Sequence, residues 1–333
     1  MKKYSIIPIS FLILGIIFSC GVSESNNGII DIESAILKVI AADDSTYGIE
    51  GLADIEDEDY SLGKAPDSDQ SDGSFSITMR DSNYVWRFAR RGMAVERVVT
   101  VEVEDDSSAQ ALISHHITGT FYVKQFARVW TSLDTWERGD SIRFSEKPID
   151  MGATRRVAFR KRLDDAGETH WKPVAMTLLS GHSGESLDIE ALEWVAEDST
   201  LVLTDFGNVF YSRRNPLLLS QMGVNHMNVV VSNDADGEME KVIGRLGYNP
   251  RVGNPDSRSR FHFFFVETLD TGDKVYSRRI IPNRLHRRHF KGFVEVIDYR
   301  TLFDHNYENY SSATVGFIYT TREIGRASCR ERV

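Results

Sequence analysis

The sequence predicts an α+β N-terminal domain, one helix with a curved antiparallel sheet, followed by an all-β sandwich. Three observations predict it. Apolar residues recur at helical spacing over Ile29–Ala42. From Ser74 the apolar period switches to two and, Gln125–Lys147 apart, recurs to about Leu179. After a Gly/Ser-rich break, seven short alternating runs follow, each closed by turn residues. Length agrees, since 333 residues make about two domains at roughly 150 residues each. The expected boundaries are a leader over 1–19, a tether over 20–28, the first domain over 29–181 and the second over 186–323.

The chain opens with Lys2 and Lys3, then Ser5 to Phe18, almost wholly apolar, closed by Ile17-Phe18-Ser19-Cys20. A basic start, an apolar run too short for a comfortable bilayer span and a small residue before the cut mark an export signal. Ile17-Phe18-Ser19-Cys20 resembles the lipobox of bacterial lipoproteins, with Phe18 in place of the usual small middle residue. The resemblance implies that Cys20 becomes the first residue and carries a diacylglycerol, a membrane attachment that would hold the folded mass outside the cytoplasm. Gly21, not Asp, follows Cys20, which by the same resemblance favours the outer membrane in a host with two.

At the other end Ile324–Val333 reads IGRASCRERV and looks like a sequencing adapter translated in frame. It is set apart from the fold, and the natural chain is expected to continue past Glu323. The formal charge is −10; without Lys2, Lys3, Arg326, Arg330, Arg332 and Glu331 it becomes 34 positive against 48 negative, near −14. So acidic a chain argues against general nucleic-acid binding, which needs Lys and Arg against phosphate. With Cys20 acylated and Cys329 set aside, no disulfide is expected, and the domains must stand on core burial. There is no Cys cluster for zinc and no motif for a cofactor.

Taken in order, Gly21–Gly28 is small and polar and reads as a flexible tether. Ile29, Ile32, Ile36 and Ile40 then mark one face of a helix, with Asp31 and Glu33 expected in its first turn, where the helix dipole favours carboxylates. Residues 43–72 hold eleven carboxylates against Lys64, with a second short helix expected over Gly48–Ala53. Within them Asp67-Ser-Asp69-Gln-Ser-Asp72-Gly73 invites a calcium-loop reading. The EF-hand needs Gly at position six and Glu at twelve, whereas here Gly73 stands at seven and Thr78 at twelve. Asn233–Gly237 fails likewise, with Gly244 at twelve. Both read as solvated loops or turns.

Strands are expected over Ser74–Met79, Val85–Arg91, Glu96–Glu104, Ala109–Val123, Ala153–Arg162 and His170–Leu179. In the longest, Ala109, Ala111, Ile113, His115, Ile117, Gly119, Phe121 and Val123 share one face, and Gly119 is the expected bend. Gln125–Lys147 holds Trp130, Trp136 and Phe144 without a clear period and reads as a connection over the sheet. Helix, acidic connection, long curved strands and a closing Trp171-Lys172-x-Val174 strand resemble the cone-shaped fold of the SnoaL-like and ketosteroid-isomerase-like superfamily. That resemblance, over about Gly28–Gly181, implies a pocket between a bent sheet and helices at its mouth. An Asp base works in such a pocket in the isomerase branch. No equivalent Asp falls on an interior face here, so that activity is not carried over.

Gly181–Ser186 reads as the interdomain linker. Beyond it, Ser186–Ala196, Leu201–Thr204, Val224–Ser232, Phe261–Thr268, Lys274–Ile281, Gly292–Ile297 and Ala313–Thr320 read as strands, with hairpin turns at Asp234–Gly237 and Asp270–Asp273. Seven short strands with regular turns suggest two packed sheets and resemble an immunoglobulin-like module without its disulfide, its last strand expected to lie beyond this chain.

Three sets of residues could carry function. His115 stands on an otherwise apolar strand face: either a ligand-binding or titrating group, or a core histidine satisfied internally. Arg155 alternates in phase with Val157 and Phe159: either a buried cation or anion-binding group, or a strand-end arginine reaching out to solvent. Arg278, Arg279, Arg284, Arg287, Arg288 and Lys291, with His286 and His289, form a basic cluster that could meet an anion, a lipid headgroup or the acidic 43–72 segment. No G-x-S-x-G, H-E-x-x-H or phosphate-loop pattern is present. The sequence therefore points to a non-catalytic binding protein whose partner is a protein or a small molecule. A ligand carrier or enzyme built around His115, or a purely structural envelope component, are the other readings.

Overall fold

A computed structural model describes residues 26–43, 49, 84–132, 136–163, 167–184, 186–196, 199–212, 217–220, 225–234, 240–246, 259–280 and 289–322. It is mostly antiparallel β-sheet with few helices. In chain order the elements are α1 (Asn26–Ala42), β1 (Tyr84–Val103), β2 (Ser108–Trp130), β3 (Trp136–Leu163), β4 (Thr169–Met176), β5 (Leu179–Ser183), β6 (Leu187–Ala196), β7 (Ser199–Leu203), β8 (Tyr211–Ser212), β9 (Leu217–Ser220), β10 (Asn225–Asn233), β11 (Lys241–Leu246), β12 (Ser259–His262), β13 (Phe264–Thr268), β14 (Lys274–Ile280), β15 (His289–Ile297), α2 (Tyr299–Phe303) and β16 (Ser312–Arg322). The helix expected over Gly48–Ala53 and the strand expected over Ser74–Met79 lie outside the described residues.

α1 starts at Asn26, ahead of the apolar pattern, so Asp31 and Glu33 fall beyond its first turn. Ile36 and Ile40, one turn apart, are buried against Ala109, Ala111 and Ile113 of β2 and Val157 and Phe159 of β3.

β1, β2 and β3 form an antiparallel meander of unusually long strands. Along β2 the predicted alternation holds: Ala109, Ala111, Ile113, His115, Ile117, Phe121 and Val123 are all buried. The two strands expected over Val85–Arg91 and Glu96–Glu104 are one, β1, interrupted by an irregularity between Arg91 and Ala94. Gly92 takes φ 61° there, a left-handed conformation that favours glycine. The irregularity inverts the alternation, so Phe88 and Arg90 share the face that Val99 and Val101 occupy further on. Gly119 seats this feature: a Cβ on it would lie 2.5 Å from Met93 Sδ.

Gln125–Lys147, expected as a connection over the sheet, is instead the end of β2 and the first half of β3, paired out to Trp130 opposite Trp136. Its period is obscured because the register shifts between Gln125 and Phe126 and again between Phe126 and Arg128.

The larger sheet runs β1-β2-β3-β5-β16-β15-β11-β12, with β4, β8 and β9 attached beside it. The second runs β13-β14-β10-β6-β7. Where a linker was expected over Gly181–Ser186, the chain is completing β5. That strand pairs with Gly152–Thr154 of β3 on one side and Ser312–Gly316 of β16 on the other. The strands before and after residue 181 therefore share one hydrogen-bonded sheet.

Each face of this sheet buries a different core. On one face Val242, Val294, Val296, Val315 and Phe317 pack against Trp194, Met227 and Val229 of the smaller sheet, with Trp194 set edge-on to Phe317 at 5.2 Å. On the other, Ile243, Phe293 and Ile297 of β11 and β15 join Phe88, Ile117, Phe121 and Met151 of β1–β3, with Leu302 of α2. β1 and β15 are far apart in strand order yet meet here, so the sheet curls over its own concave face.

Candidate functional site: the buried polar groups of the concave face

The concave face is assembled rung by rung. One rung across the sheet runs Arg97, His115, Ala153, Gly181, Thr314, Glu295, Ile243 and His262, each opposite the next on the neighbouring strand. The adjacent rung places Ile113 opposite Arg155. His115 and Arg155 are therefore diagonal neighbours on β2 and β3, within reach of long side chains. Both are buried, at 4% and 6% exposure, and each makes an interaction of its own. Arg155 sits mid-strand among buried neighbours, so it is not a strand-end arginine reaching to solvent. His116 faces the other way, exposed, with its Nε2 2.8 Å from Asp150 Oδ1.

The best-connected group on this face is one the sequence reading did not single out. The Arg90 guanidinium of β1 is hydrogen-bonded to the Glu295 carboxylate of β15 and to the Tyr310 hydroxyl. Tyr310 Oη in turn donates to Glu295 Oε1 at 2.9 Å. Arg90 also lies 5.5 Å from the centroid of the Tyr310 ring. All three are buried. Burial pushes the Tyr310 hydroxyl well above its ordinary range, Arg90 opposing and Glu295 adding, so it stays a donor. This triad ties the first long strand to the far side of the curl. The signal that could have found it is the one that flagged Arg155: a lone charge inside an apolar run, as in Phe293-Val294-Glu295-Val296.

Lys147 is another buried cation. Its Nζ donates to Arg300 O and Asp304 O, both at 2.9 Å, which satisfies carbonyls at the end of α2. Asp298 caps the other end of α2, accepting from the Arg300 backbone N–H at 2.7 Å. Burial pulls Lys147 down to about 8, while Asp304 and Asp298 pull the other way. At the rim of the smaller sheet, Glu240 accepts from Tyr276 Oη at 2.5 Å, Lys274 Nζ at 2.7 Å and Asn233 Nδ2 at 2.8 Å. Burial first, then the Glu240 charge, raises the Tyr276 hydroxyl above its ordinary range.

The basic cluster of the sequence is divided. Arg278 and Arg279 lie on β14 of the smaller sheet, where the Arg278 guanidinium is 5.1 Å from the Phe264 ring. Lys291 lies on β15 of the larger sheet. Arg284, Arg287 and Arg288 lie outside the described residues, as does Cys20. Among the described residues no group of three or more His, Cys, Asp or Glu could hold a metal ion. No described helix is long and apolar enough to cross a membrane. Compared with known proteins, the chain matches no family model, no curated protein and no solved structure.

Proposed function

We propose that this chain is an exported protein, lipid-anchored through Cys20 in the bacterial cell envelope, which binds a protein or small-molecule partner and performs no chemistry. The leader carries the reading: two lysines, an apolar run, and Ile17-Phe18-Ser19-Cys20. Two or more acyl chains on one residue give stable attachment, at about 0.8 kcal/mol per buried methylene. The Gly21 that follows favours the outer membrane in a host that has two. The test is Cys20→Ser followed by detergent partitioning of cell fractions. The expected result is release from the detergent phase, and unchanged retention sinks the anchor.

In the finer reading of the fold, the part before residue 181 is a cone-like α+β unit of the SnoaL-like kind and the part after it an immunoglobulin-like sandwich. Support comes from α1 lying over the inner face of the long strands, and from the core shared by the two sheets.

A second reading uses the interior as a small-ligand site. It is favoured by one observation, the placement of His115 and Arg155 side by side on the concave face. Under it, His115→Ala lowers ligand uptake while leaving the melting temperature nearly unchanged. If the substitution chiefly lowers the melting temperature, His115 is a core residue.

A further inference from the structure

Exposed large apolar side chains occur singly along the long strands, as at Val98, Leu112 and Leu163, but several gather toward the paired end of the β2–β3 hairpin. The inner face of β2 stays buried as far as Gln125, whereas Lys124 and Phe144, opposite each other, lie on the outer face. Toward the Trp130–Trp136 rung, four large apolar side chains are about half exposed: Val129 49%, Trp130 52%, Ile142 48% and Phe144 50%. Cations are interleaved with aromatic rings beside them. The Arg91 guanidinium lies 5.4 Å from the Tyr122 ring, Tyr122 lies 5.6 Å from Phe144, and Lys124 Nζ lies 5.5 Å from Phe144.

Apolar side chains scattered singly over a surface need no explanation, but several at one hairpin end, set among Lys and Arg, mark a contact surface. We propose that this hairpin end is a membrane contact: Trp130, Ile142 and Phe144 enter the interface of a bilayer, and Arg91 and Lys124 meet anionic phospholipid headgroups. Amphipathic rings and long cationic side chains belong at the depth where headgroups meet acyl chains. Cations near an anionic bilayer add electrostatic attraction. Exposed Glu137, Asp140 and Glu146 lie along the same stretch, so the apolar side chains supply most of the attraction and the cations select the anionic surface.

One consequence rests on the Cys20 reading. α1, which follows the tether, packs on Ala109, Ala111 and Ile113, at the far end of β2 from Trp130. At about 3.3 Å per residue the separation along the strand is on the order of 60 Å. Lipid contact at both places would lay the long strands along the bilayer.

The test reads tryptophan fluorescence of the full chain on vesicles of phosphatidylcholine alone or mixed with phosphatidylglycerol, with a nitroxide quencher on the acyl chains. The expected result is quenching on the mixed vesicles that largely disappears in Trp130→Phe. It should also weaken in Phe144→Ser, with far-ultraviolet circular dichroism unchanged in both. Quenching of equal size in Trp130→Phe overturns the proposal, as does no quenching of the wild type. Cys20→Ser run in parallel separates the two ideas: lost detergent partitioning with Trp130 quenching intact supports both. Absent Trp130 quenching in a chain that still partitions through Cys20 overturns the hairpin contact alone.

Discussion

Removing the Arg90 guanidinium should be among the most damaging single changes in this protein. Arg90→Met keeps the volume and apolar stem but leaves the Glu295 carboxylate, 1% exposed, with the Tyr310 hydroxyl as its described donor. Breaking a buried pair in this way costs about 3–5 kcal/mol, because one charge stays buried without its counter-charge. A native state holds only about 5–15 kcal/mol in all, so the loss is a large share of the total. At about 2–4 °C per kcal/mol for chains approaching this size, the melting temperature should fall by roughly 10 °C. The double variant Arg90→Met/Glu295→Met removes both charges and should recover most of the loss, since apolar replacements of buried pairs are commonly neutral or better. The assay is urea unfolding of wild type, both single variants and the double variant, followed by tyrosine and tryptophan fluorescence. A cost below about 1 kcal/mol for Arg90→Met, the range of a solvated surface pair, would refute the claim that this triad fastens the curl.

Three further outcomes are expected. Lys147 has a folded-state value of about 8 against 10.5 in the unfolded chain. The unfolded chain therefore binds more protons between those two pH values, and this group makes stability rise as pH climbs from 8 to 10.5. Lys241, lowered to about 8 by burial, acts in the same direction. Unfolding midpoints across that window should rise in the wild type and rise less in Lys147→Met; a flat wild-type profile contradicts this. Gly181→Ala should cost about 1–3 kcal/mol by overpacking, since a Cβ there would lie 2.7 Å from Ala153 Cβ and 2.9 Å from Gly152 O. An unchanged melting temperature would show that β5 can move aside. Tyr276→Phe deprives buried Glu240 of one donor and should cost about 1.5–3 kcal/mol in urea unfolding; no change would mean that Lys274 and Asn233 suffice.

What was legible in the sequence was local. The period of α1 and the two faces of β2 are written in residues a few positions apart, and burial of Ile36, Ile40 and the odd-numbered positions of β2 follows that pattern. Register irregularities defeated the same method, since the extra residues of β3 between Arg138 and Arg143 exchange inner and outer positions and hide the period of that stretch. Gly181–Ser186 misled for a related reason. Its small residues suggest flexibility, but here they are small because β3 presses against β5, and Ser183 Oγ is wedged between Asp150 O at 2.6 Å and Tyr310 O at 2.9 Å. β11 went unnoticed as a six-residue run containing Gly244 and Arg245. His115 and Arg155 could be placed on one face from sequence, whereas the meeting of Arg90 with Glu295 depends on sheet curvature that no local pattern encodes.

The seam at β5 has a consequence for how the molecule is made. Ser183 finds its partner Ser312 only after more than a hundred further residues have emerged, and among the described residues the β5–β16 ladder joins early to late strands on the main path of the larger sheet. Until β16 arrives, the long meander must wait with its inner apolar row uncovered on the late-strand side. Such distant pairing makes for slow maturation and a sticky half-built species. Premature release of the polypeptide should therefore yield aggregates instead of a smaller soluble piece.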